Sequence, residues 1–144
     1  MRTFPHYFSR FTVALLASAC LTASAEIVVV VSAKSTATAL TQDEAADIFL
    51  GRSNVLPGAG AVVPIDQTEG AALRDEFYQK AAGKSGAQLK AYWSKQIFSG
   101  KGQPPKAVGD SAAVKTLLAS NPNMVGYIDK SALDASVKQL LSVK

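Results

Sequence analysis

The chain has 144 residues, 15 Lys and Arg against 11 Asp and Glu, a formal net charge of +4, one Cys and one His. That length fits one domain with a modest core. Without a basic block or a basic–aromatic stripe, a nucleic-acid partner has little support.

Arg2 and Arg10 form a positive n-region, residues 12–21 an apolar h-region, and Ala23-Ser24-Ala25 an A-x-A cleavage site before Glu26. Residues 1–25 are therefore read as a signal peptide and 26–144 as one exported, periplasmic domain. The h-region is too short to span a bilayer. A lipoprotein cut before Cys20 is the alternative, although Ala17 stands where such signals usually carry Leu. Cleavage at Ala25 leaves 13 basic residues against 11 acidic ones, a net +2, because Arg2 and Arg10 depart. It also removes Cys20 and His6, and with them zinc sites built on Cys or His, Ser–His–Asp triads and Cys–His pairs.

Ile27 to Val31 is a run of β-branched residues and reads as a buried strand. Ser32 to Leu40 is a small, polar loop. Thr41-Gln42-Asp43-Glu44 is a capping box, with Leu40 and Ala45 as its staple. Ala45, Ile48 and Phe49 make the apolar stripe of the helix that follows, and Gly51 ends it. Arg52 to Gly60 is a loop. Ala61 to Ile65 is a second strand.

A helix starting near Glu69 is expected to bury Leu73, Phe77 and Ala81, and to break at Gly83-Lys84. Ser85-Gly86-Ala87-Gln88 is a second capping box, opening a helix that buries Leu89, Trp93 and Ile97. Residues 99–105 form a Gly- and Pro-rich loop. Asp110 or Ser111 caps a fourth helix through Val114, Leu117 and Leu118. Met124 to Ile128 is a strand, Ser131 to Ala135 a turn and Val137 to Val143 a final strand. Strands alternating with helices predict an α/β layered domain with a small sheet and about four flanking helices.

The turn Asp66-Gln67-Thr68-Glu69-Gly70 joins a strand to a helix. Such a turn aims unpaired N–H groups and a positive dipole end at one point, which suits an anion. Three segments then resemble phosphate-type periplasmic substrate-binding proteins. Leu40-Thr41-Gln42-Asp43-Glu44 with Ile48-Phe49-Leu50-Gly51-Arg52 is similar to their L-T-x-x-E…I-F-x-G-K helix. Glu69-Gly70 with Arg74 and Phe77 is similar to their D-G-S-G-T-R-x-x-F loop. Met124-Val125-Gly126-Tyr127-Ile128 is similar to their G-A-I-G-Y-V strand. The resemblance spans Ile27 to Asp129 and lies nearest to short, single-lobe members. It implies one lobe of a type 2 periplasmic binding protein, non-enzymatic, without a cofactor, serving ABC-type uptake of phosphate or a related small oxyanion.

Aligned on Gly70, Arg74 and Phe77, the family's Ser and Thr fall at Ala71 and Leu73, and its phosphate-pairing Arg falls at Gln67. Glu69 keeps the acidic position. A like charge about 4 Å from an anion costs about 1 kcal/mol in water and about 4 at a surface-like dielectric, so weak binding is expected. The candidate ligand contacts are Thr68, Glu69, Gly70, Ala71 and Arg74, joined by Ser35 and Thr36 in the hydroxyl-rich loop after the first strand. Each has a plainer reading: Glu69 as a first-turn acid, Gly70 as a turn residue, Thr68 as an N-cap, Arg74 on the surface beside Tyr78, and Ser35 and Thr36 as an ordinary loop. The alternative function is a protein-interaction scaffold derived from such a lobe, in which a homodimer or an envelope partner supplies the missing wall.

Overall fold

The computed structural model describes residues 25–144; the expected leader lies outside the described residues. Strand β1 (Ile27–Ser32) is buried along its whole length, as its β-branched run requires. Helix α1 (Gln42–Phe49) starts at the expected capping box, with the Thr41 hydroxyl and the Glu44 carboxylate each accepting a backbone N–H. Gly51, at φ 72, ends its last turn.

Strands β2 (Val55–Leu56) and β3 (Gly60–Ala61) form a small hairpin inside the expected loop. Because Ala61 belongs to that hairpin, the next strand is displaced: β4 runs Val63–Gln67 rather than Ala61–Ile65. Helix α2 (Ala72–Ala82) begins three residues after Glu69, because Gly70 takes φ 85 and Ala71 is still extended. Its buried face is Phe77 and Tyr78, with Leu73 and Ala81 only partly covered.

Helix α3 (Gly86–Phe98) uses its expected capping box. It buries Leu89 and Trp93, but its last turn stands clear of the core: Ile97, expected inside, is 48% exposed and Phe98 96%. A strand absent from the sequence reading, β5 (Lys106–Gly109), follows the Pro loop. Asp110 then caps α4 (Ser111–Ser120) through the Ala113 N–H. Strand β6 (Met124–Asp129), a 3₁₀ turn (Lys130–Ala132) and β7 (Val137–Val143) complete the chain.

The main sheet has the order β5-β4-β6-β1-β7. β4 runs parallel to both β5 and β6, whereas β1 is antiparallel to β6 and β7. Successive β1 side chains face opposite sides. Ile27, Val29 and Val31 meet α1, α2 and α3 in the larger core; Val28 and Val30 meet α4 in the smaller one. In the larger core Phe77 stacks on Tyr127 at 3.9 Å between ring centres, with Phe49 edge-on to both. On the other side, a Cβ at Gly126 would stand 2.6 Å from Val114 Cγ1. Only a residue without a side chain lets α4 lie so close to β6.

Candidate functional site

The parallel strands β4, β5 and β6 end on one edge of the sheet, and in α/β sheets ligands gather outside such carboxyl ends. β4 delivers Asp66 and Gln67 to this edge, both buried. The Asp66 carboxylate is a hub. It accepts the Tyr78 hydroxyl at 2.8 Å, the Tyr127 hydroxyl in a short bond, the Arg74 Nε at 3.3 Å and the Gln67 N–H at 2.8 Å. Burial pushes the Tyr78 and Tyr127 hydroxyls well above the usual tyrosine range, and the adjoining Asp66 charge adds to it. For Arg74, burial works against the charged form, but Asp66 and the two tyrosines more than offset it and raise the guanidinium.

Arg74 is therefore neither on the surface nor loose. Its side chain is 13% exposed and its guanidinium carbon stands 5.2 Å over the Tyr78 ring. Asp66 holds it through Nε, which leaves the two terminal nitrogens without a partner among the described residues. Gln67, standing where the resembling family has its phosphate-pairing Arg, turns inward. Its Nε2 donates to the Tyr127 carbonyl at 3.0 Å and to the Ser111 hydroxyl at 3.2 Å.

The loop after Gln67 consumes some of its own amides. The Thr68 N–H donates to the Gly109 carbonyl, and the Ala71 N–H to the Thr68 carbonyl. Thr68 does not cap α2; Ala71 occupies that place and offers no side-chain acceptor. Among the described residues the other three α-helices are closed by Thr41, Ser85 and Asp110. Helix α2 alone starts without a side-chain cap on its N–H groups. Gly70 is exposed and has nothing within 4 Å of a Cβ position, so its φ of 85 is what calls for glycine. Glu69 is exposed, and with Arg74, Asp75 and Lys90 it lines a shallow recess between the starts of α2 and α3.

Ser35 and Thr36 are not in this recess. β1 runs against β4 and β6, so the loop after it opens at the opposite edge, where Lys34, Ser35 and Thr36 line a separate depression with Asn123. Their polar atoms hold the loop: Ser35 Oγ accepts the Ala37 N–H, Lys138 Nζ donates to the Ser35 carbonyl, and the Thr36 hydroxyl donates to Gly58. Asp66, Tyr78 and Tyr127 were not singled out from sequence. An isolated Asp ending an apolar strand was the available signal, since a buried carboxylate demands donors.

The fold is that of a single lobe of a type 2 periplasmic binding protein, α/β with a mixed sheet and four α-helices among the described residues. Three solved structures share it. A protein from Clostridium perfringens assigned as a phosphate ABC transporter substrate-binding protein, solved with bound phosphate, is 21% identical with a TM-score of 0.63. An ABC-type phosphate transport receptor from Vibrio cholerae is 19% identical with a TM-score of 0.64, and PstS from Borrelia burgdorferi 13% with 0.60. Each match covers 81% of this chain but only 44–46% of the solved one, so the chain spans less than half their length. No family model and no curated protein matches the sequence.

Proposed function

We propose that this chain is an exported, non-enzymatic solute-binding lobe that takes phosphate or a related small oxyanion weakly, in association with ABC-type uptake. One observation carries the reading. Asp66 holds the Arg74 guanidinium by Nε in the first turn of α2, the one α-helix among the described residues whose start no side chain closes, and Arg74 lines the recess there with Glu69 and Gly70. A guanidinium edge and backbone amides are the donors that oxyanions accept from most readily. The fold of the Vibrio cholerae receptor and its relatives agrees with this reading.

The proposed contacts are Thr68, Glu69, Gly70, Ala71 and Arg74. Glu69 accepts a hydrogen bond from the O–H of a protonated oxyanion and disfavours one without a proton. Weakness follows from the same geometry: Asp66 already neutralises much of Arg74, Glu69 and Asp75 add negative charge, and the recess is open to water. Calorimetry with phosphate, sulfate and small carboxylates tests the reading. Millimolar phosphate binding, weakened about tenfold in Arg74→Gln, is expected; no heat and no thermal shift with any of them rejects it.

A second reading, an interaction scaffold, has its own support. Between residues 77 and 109 the chain has Lys80, Lys84, Lys90, Lys95, Lys101 and Lys106 and no acidic residue, and Phe98 stands almost fully exposed among them. Pull-down of a stoichiometric protein partner that survives Arg74→Gln and is lost in Phe98→Ser favours this reading.

A further inference from the structure

The open start of α2 leads into more than an ionic recess. From Glu69 and Arg74 the surface continues along α3 past Lys90 into a cavity of about 200 Å³ floored by Leu89, Trp93 and Ile97. One end carries charge and the other is apolar. Ile97 lies on the same α3 face as Leu89 and Trp93 yet remains half exposed, because the cavity lies over it. Trp93 is 6% exposed, lines this cavity, and its indole N–H is buried without an acceptor among the described residues. Buried donors are nearly always paired. Bare phosphate satisfies the ionic end and leaves the apolar floor in water.

We infer that the site takes an organic oxyanion, a phosphomonoester or phosphonate with a compact aryl or branched alkyl group, in preference to inorganic phosphate. The inference rests on the oxyanion reading above. The oxyanion sits at the Arg74 terminal nitrogens and the α2 amides, with Lys90 beside it. The apolar group lies on Leu89, Trp93 and Ile97. The cavity is smaller than a typical small-molecule site, which limits the group to about the size of one ring.

Calorimetry of the purified protein with inorganic phosphate, methyl phosphate, phenyl phosphate and uncharged benzyl alcohol tests this. Phenyl phosphate is expected to bind about tenfold more tightly than methyl phosphate. It also changes the fluorescence of Trp93, the single Trp of the chain. Ile97→Ser, at a half-exposed position, lowers the affinity for phenyl phosphate far more than that for methyl phosphate and so removes most of that preference. Equal affinity for phenyl and methyl phosphate overturns the inference while leaving the oxyanion site standing. Benzyl alcohol binding as tightly as phenyl phosphate, or no binding by any of the four, overturns both.

Discussion

Helices α2 and α3 start on either side of one recess, and they start differently. Ser85 and Gln88 cap α3, each side chain accepting a backbone N–H. Ala71 leaves α2 open. Replacing a capping side chain by Ala costs about 1 kcal/mol, so the open start is a small, local sacrifice of stability. It is tolerable because the loop is anchored from beneath by Asp66 rather than from its own side chains. The pair shows that a binding surface can be made by withholding a cap at one helix while its neighbour stays sealed.

The comparison breaks most visibly if the anchor goes. Asp66→Ala strands Arg74 and two buried hydroxyls, and a broken buried pair costs about 3–5 kcal/mol; urea unfolding measures it. A loss below 1 kcal/mol would show that the loop holds itself. Arg74→Gln is expected to weaken oxyanion binding about tenfold, roughly 1.4 kcal/mol. Arg74→Lys should recover only part of that, because a point charge lacks the planar fork.

The helix starts themselves give opposite signs. Ala71→Ser supplies the missing cap, so the melting temperature rises with a gain of about 0.5–1 kcal/mol while oxyanion affinity falls. Ser85→Ala lowers stability by about 1 kcal/mol and leaves affinity unchanged. If both changes altered affinity alike, the two starts would not be distinct.

The pH profile is the subtlest check. Tyr78 and Tyr127 are raised above the ordinary tyrosine value, about 10. The folded state keeps protons that the unfolded chain releases, so their contribution is complete below about pH 10 and declines as pH rises further. Thermal melts from pH 7 to 11 should be level until the top of that range and then fall. Tyr127→Phe should flatten the fall.

Local features were legible from sequence. The capping boxes at Thr41/Glu44 and Ser85/Gln88 depend on residues three apart, and β1 declared itself by five β-branched residues. The beginning of α2 was misread because Ala71 is not a capping type, so nothing local marked it. β5 was missed because four residues after two prolines carry little pattern; only pairing with β4 makes them a strand. Ile97 kept the right spacing but sits where α3 overhangs the core. Asp66 was passed over because its partner Tyr127 lies 61 positions away, a separation that no window along the chain joins. For the same reason the antiparallel run of β1, which carries Ser35 and Thr36 away from Arg74, could not be read before the sheet was assembled.

Ile27 pairs with Val143 across β1 and β7, so the earliest and latest strands of the domain are hydrogen-bonded neighbours in the sheet. Strand β1 has β6 on one side and gains its partner on the other side only when β7 is in place. Contacts of such long sequence separation make folding slow, and without β7 the wholly apolar run of β1 becomes an open edge of the sheet.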